Sequence, residues 1–155
     1  MIEVEEAVRI ALPREQVFAV AALPENMTLW NPAVLESQLV GEIEPGARVV
    51  QSIRLMGRRF VSEFEVTAFE PPRRVTYSSI RGPVRIEGTM RFEALPGETL
   101  VSWTVAGDGR RFFRVAESVL LDAGRRQMRA CLENLKRVVE ASVAPGPGAT
   151  APLFR

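Results

Sequence analysis

The hydrophobic period of this chain changes once, and that change decides its fold class. From Val34 to Ala106 the pattern is strand after strand, with apolar side chains recurring at alternate positions. Such alternation marks strands with one covered face. After Gly107-Asp108-Gly109 the spacing becomes three and four: Phe113, Ala116, Leu120, Ala123, Gln127, Cys131, Leu135 and Val138 draw one stripe. That stripe predicts a single helix from about Arg111 to Ala141. A helix of about 30 residues spans roughly 45 Å, enough to cross a whole sheet.

The strand region is punctuated by Pro45-Gly46, Gly57, Pro71-Pro72, Gly82-Pro83 and Pro96-Gly97, which read as hairpin turns. Its clearest stretch runs from Arg85 to Glu93. Val84, Ile86, Gly88, Met90 and Phe92 point one way; Arg85, Glu87, Thr89, Arg91 and Glu93 point the other. Phe60, Phe64 and Val66 alternate with Glu63, Glu65 and Thr67 in the same manner. An earlier strand is predicted from Val4 to Leu12, with Glu6 an oddity on its apolar face. Pro13 breaks that strand and suits a helix's first turn. Glu15 to Leu23 reads as one short helix and Pro24 to Pro32 as a second. The expected architecture is α+β: a curved seven-stranded antiparallel sheet wrapped around a long C-terminal helix, with two short helices after the first strand.

At 155 residues the chain suits one domain. We assign it to residues 1–143, with a Pro/Gly/Ala-rich tail, 144–155, expected to be disordered. The net charge of +1 provides no bulk field for nucleic acid, and the four Arg-Arg pairs lack interleaved aromatics. No nucleic-acid partner is expected. The chain has no histidine and one cysteine, Cys131. That removes Ser-His-Asp and Cys-His nucleophile systems, histidine metal sites and thiolate clusters within one chain. We expect no cofactor, no metal and no catalytic residue set. The acidic start, Met1-Ile2-Glu3-Val4-Glu5-Glu6, lacks a signal peptide's basic start and apolar run. No segment approaches the roughly 20 apolar residues of a membrane span. A cytoplasmic protein, not integral to a membrane, is expected; a homodimer stays open.

Several stretches resemble a known superfamily. They are Arg9-Ile10-Ala11-Leu12-Pro13-Arg14-Glu15-Gln16-Val17-Phe18, the corner Leu29-Trp30-Asn31-Pro32, the segment Phe69-Glu70-Pro71-Pro72-Arg73-Arg74-Val75, and the terminal helix. Over about residues 3 to 141 the chain is similar to the START-like, or SRPBCC, superfamily with the helix-grip fold. Its polyketide cyclase/dehydrase and lipid-transport branch looks nearest. The resemblance implies an elongated cavity between sheet and long helix, used for lipids, hormones, polyketides or other apolar compounds, with catalysis in some members only. These motifs are structural and specify the fold rather than the ligand.

The inner faces supply candidate ligand contacts: Phe60, Phe64, Tyr77, Ile86, Met90, Trp103, Phe113, Ala116 and Leu120. Polar groups stand out there. Tyr77 and Ser79 alternate with Val75, Gln51 sits between Val49 and Ile53, and Gln127 interrupts the helix stripe. Each needs a protein partner, a water or a ligand. Glu6 is either a buried acid or a group solvated near a strand end or paired with an arginine. Trp30 either stacks on a ligand or plugs the flank of the sheet. Cys131 reads as an inert core thiol.

In a meander, alternate turns share an end. Gly57, Gly82-Pro83 and Gly107-Gly109 therefore gather together with Arg54, Arg58, Arg59, Arg81, Arg85, Arg110, Arg111 and Arg114. Gly57, Arg58, Arg81, Gly82, Arg110 and Arg111 are the expected cavity mouth, suited to a ligand with an anionic head. The favoured reading is a protein that binds or carries a small hydrophobic or amphipathic molecule. Two alternatives accompany it: a cyclase, dehydratase or hydrolase working by cavity shape, and a partner module acting through its surface.

Overall fold

The computed structural model describes residues 2–142. Strand β1 (Ile2–Ile10) is followed by helix α1 (Arg14–Ala21), a 3-10 turn (Pro24–Asn26) and helix α2 (Met27–Trp30). Six strands follow: β2 (Val34–Val40), β3 (Arg48–Leu55), β4 (Arg58–Glu70), β5 (Arg74–Arg81), β6 (Arg85–Leu95) and β7 (Glu98–Asp108). One helical turn, α3 (Arg110–Phe113), precedes the long helix α4 (Glu117–Ser142). The expected tail from residue 144 lies outside the described residues.

All seven strands form one antiparallel sheet in the order β1-β7-β6-β5-β4-β3-β2. The chain thus makes a meander from β2 to β7, and β1 closes against the last strand. This is the α+β helix-grip architecture. Its hairpins fall where proline and glycine stand. Met56 and Gly57 join β3 to β4, both with positive φ, at 51° and 78°; a two-residue turn of that kind matches the twist of the flanking strands. Gly82 has φ 132°, and a Cβ there would lie 2.7 Å from Ser62 Oγ. Only glycine lets the β5–β6 turn fold this closely against β4.

Burial follows the alternation. Val84, Met90 and Phe92 are buried, whereas Arg85, Glu87, Arg91 and Glu93 are exposed. At the end of the sheet near α1, Phe18 packs against Phe69 and Phe92, with ring centroids 5.6 and 5.0 Å apart. Val75, Val101, Leu132, Leu135 and Val139 fill the same core without solvent exposure or nearly so. Glu6 lies on the covered face of β1 and is paired with Arg129 of α4.

The single helix expected from Arg111 is interrupted. Arg114 adopts a left-handed conformation, φ 56°, and ends α3; such a residue is a common helix stop. Aromatic packing fixes α3 against β4 ahead of the break. Phe112 and Phe113 both turn toward Phe60, with centroids 5.1 and 6.1 Å away, and contact each other edge to face at 5.0 Å. Both rings are carried on α3 itself, and the left-handed Arg114 that follows turns the chain before α4 begins. It re-enters at Glu117, where the Ala116 carbonyl accepts bonds from Val119 N and Leu120 N.

Candidate functional site

A cavity of about 190 Å³ lies between the sheet and the first half of α4. The strands bring Val49, Gln51, Ile53 and Leu55 from β3 and Phe64 from β4. Tyr77 enters from β5, while Ile86, Gly88 and Met90 enter from β6. Trp103 and Val105 of β7, Val4 of β1 and Val34 of β2 complete the sheet side. Met27 and Asn31 come from α2 and its end, and Gly124, Gln127 and Met128 from α4. Where a strand supplies more than one of these residues they are spaced by two, which is why one pleated face delivers them all.

Small residues make the space. Gly88 of β6 and Gly124 of α4 both line it. A Cβ on Gly88 would sit 3.5 Å from Trp103 Nε1, and one on Gly124 would sit 3.6 Å from Val4 Cγ2. Both are ordinary contact distances, so neither glycine relieves a clash; each removes volume from the wall.

Four polar side chains interrupt the apolar lining, and none is charged. The Tyr77 hydroxyl donates to Ala22 O at 2.8 Å, fastening β5 to the end of α1. Burial, helped by Glu25, holds this phenol above its ordinary pKa, so at neutral pH it is an uncharged donor. Gln51 Nε2 donates to Ser37 Oγ and Met27 Sδ, each at 3.0 Å. Asn31 Oδ1 accepts from Ala33 N at 3.0 Å and from Gln127 Nε2 at 3.5 Å. Gln127 Nε2 also approaches Cys131 Sγ at 3.6 Å. Cys131 is fully buried; its thiol is pushed up to about 12 by desolvation, partly offset by that Gln127 contact.

Of the ligand contacts expected from sequence, Phe64, Tyr77, Ile86, Met90 and Trp103 line this cavity. Phe60 and Phe113 instead belong to the aromatic cluster beneath α3. Leu120 is half-buried on α4 outside the lining, and Ala116 is exposed in the helix break rather than carried on a continuous stripe. Ser79 donates no surface to the cavity; its Oγ accepts from Ile86 N at 2.9 Å. Trp30 is 1% exposed and stands edge to face with Trp103 at 5.6 Å, plugging the space between α2 and the sheet. Sequence reasoning passed over Asn31, Met27, Gly124 and Met128. Asn31 carries a signal, a polar residue held between Trp30 and Pro32, but in sequence that corner reads equally well as purely structural.

The expected mouth residues do gather at one end, where the β3–β4 and β5–β6 turns and the exit from β7 meet. They do not line the cavity. Arg58 donates to Phe112 O and lies over the Phe112 ring at 4.1 Å. Arg81 pairs with Glu63 at 3.8 Å and Arg110 with Glu117 at 3.7 Å. Arg111 is exposed. Among the described residues no group of acidic or cysteine side chains is arranged to hold a metal ion, and no helix is long and apolar enough to cross a membrane.

Solved structures share this architecture. A protein of Thermus thermophilus superposes with a TM-score of 0.76 at 21% identity, covering 92% of this chain and 100% of its own. A START superfamily protein from Mycobacterium smegmatis gives 0.75 at 15% identity, covering 89% and 97%. The Zhui aromatase/cyclase from Streptomyces sp. R1128 gives 0.71 at 18% identity, covering 92% and 96%. At these identities the likeness is one of fold. No curated protein matches the chain. The family model described as polyketide cyclase / dehydrase and lipid transport matches residues 1–140, nearly the whole of the sheet and helix described above. The chain belongs to that family, within the START-like superfamily.

Proposed function

We propose that this protein binds a small hydrophobic or amphipathic molecule in the cavity between its sheet and α4, holding or carrying it within the cytoplasm. One observation carries the reading: an uncharged, largely apolar cavity of about 190 Å³ lies between the sheet and α4. An engineered apolar cavity of about 150 Å³ in another protein is enough to bind benzene, so this one suits a ligand of one or two rings. Conversion of the ligand needs polar groups free to exchange protons. Tyr77, the one ionisable side chain in the lining, is committed to Ala22 O and held neutral by burial. Binding therefore stands ahead of catalysis.

Native mass spectrometry of freshly purified protein, followed by extraction of whatever is released, tests the reading directly. A stoichiometric small apolar compound is the expected result. Gly88→Leu supplies the control, because its side chain projects into the cavity beside Trp103 and Val105. The variant is expected to remain folded and to lose the compound. Retention of the same ligand by folded Gly88→Leu protein would place the binding site elsewhere.

A further inference from the structure

The polar atoms of the cavity are unevenly satisfied, and their remainder describes a ligand. Gln51 uses Nε2 on Ser37 and Met27, leaving Oε1 without a partner among the described residues. Gln127 uses Nε2 on Asn31 and Cys131, leaving its Oε1. Asn31 uses Oδ1 on Ala33 and Gln127, leaving Nδ2 as a donor. All three residues line the cavity. With Nε2 of Gln51 and Gln127 and Oδ1 of Asn31 committed to protein partners, their amides present two acceptors and one donor to it. None of the three is among the fully buried unpartnered atoms, so water can reach them and a ligand group would take water's place.

We propose that Asn31, Gln51 and Gln127 form a polar pole that selects an uncharged ligand of one or two rings bearing a hydroxyl, carbonyl or amide group. This rests on the cavity being the ligand site. A hydroxyl or amide matches a mixed donor and acceptor set; a carboxylate offers no donor and repels the two amide oxygens. No cationic side chain lines the cavity to compensate a buried carboxylate, and burying an unpaired charge is far more costly than burying a neutral polar group. Of the expected mouth cations, Arg58, Arg81 and Arg110 are engaged with Phe112, Glu63 and Glu117, and Arg111 is exposed and does not line the cavity. The anionic head suggested by the arginine-rich end thus gives way to a neutral one.

Calorimetric titration of the ligand-stripped protein at neutral pH with naphthalene, naphthol and naphthoate tests the proposal. Naphthol is expected to bind about tenfold more tightly than either companion, the worth of one or two well-made hydrogen bonds. Gln127→Leu and Gln51→Met are expected to abolish that preference without weakening naphthalene. Asn31 is left intact because it also holds Ala33 N. Naphthoate binding as tightly as naphthol would overturn the uncharged ligand class. A naphthol preference that survives both substitutions would overturn the assignment of the pole. Equal binding of naphthalene and naphthol to the unaltered protein would overturn the proposal while leaving the cavity as the binding site. Failure of all three probes to bind would overturn the cavity reading and this proposal together.

Discussion

Helix α4 has two halves that do different work against the same sheet. From Glu117 to Gln127 no residue is buried; from Met128 onward five are, Met128, Cys131, Leu132, Leu135 and Val139. Opposite the second half stand Val75, Phe92 and Val101, with Phe18 wedged edge to face upon Phe92. Opposite the first half stand Gly88, Tyr77, Gln51 and the space they leave. A strongly curved sheet cannot touch a straight helix along its whole length. Here large aliphatic and aromatic side chains close the gap at one end, while glycines and amides leave it open at the other. The packed end supplies stability and the hollow end supplies room, so mutations at the two ends should separate folding from binding.

The largest expected difference comes from truncating leucines on α4. Leu135 is fully buried, and Leu135→Ala should cost about 3 kcal/mol, combining lost transfer energy with the cavity left behind. Leu120 is half-buried over the hollow half, and Leu120→Ala should cost less than about 1 kcal/mol. Urea unfolding of the two variants measures both. Equal losses would mean that the hollow half is packed as tightly as the other, and the contrast would fail.

A second test asks whether the hollow half is dry. The chain has one tyrosine, one cysteine and no histidine, and the two acids sit one in each half. Tyr77 lines the cavity and Cys131 lies in the packed core. Burial raises both pKa values, that of Cys131 to about 12. In the unfolded chain they ionise near about 10 and 8.5 respectively. Each group's contribution is therefore complete below its unfolded pKa and is lost as pH rises toward the folded value. Each is expected to remove about 1 kcal/mol per pH unit above that threshold. Tyr77→Phe should flatten the part of the fall that begins near pH ~10; at neutral pH it also forfeits the bond to Ala22 O, worth about 1 kcal/mol. Phenolate absorbance appearing at the ordinary tyrosine pKa in folded protein would show that water reaches Tyr77 freely.

These contrasts also show where the sequence was legible. The alternation of Val84, Ile86, Gly88, Met90 and Phe92 specified β6 and its inner face, and the turn residues specified the meander, because both signals are local. The break at Arg114 was not legible. Phe113 fits the helical stripe, yet it ends α3 packed against Phe60, more than fifty residues earlier in the chain. The site divided in the same way. Phe64, Tyr77, Ile86, Met90 and Trp103 were readable as inward residues and do line the cavity. Phe60 was equally readable as inward, yet it packs under α3. A period of two identifies the face of a strand but not the level along it at which volume is missing. That volume is a sum over β6, α2 and α4, and no single stretch carries it.

Gly124 offers the smallest and sharpest test. It stands in the middle of a helix, where glycine costs about 1 kcal/mol relative to alanine. A Cβ at this position would meet Val4 Cγ2 at 3.6 Å and Cγ1 at 3.9 Å, ordinary van der Waals contacts that require nothing to move. Gly124→Ala should therefore raise stability by about 0.5–1 kcal/mol. The same methyl group would enter the wall of the cavity and should weaken a ligand that fills it. Thermal unfolding and ligand titration on the one variant give the two answers separately. A rise in stability with lower affinity would mean that the hollow half keeps its glycine for room at the expense of helix stability. A rise in stability with unchanged affinity would mean that the ligand does not reach this wall, and the site would contract toward Tyr77 and Trp103.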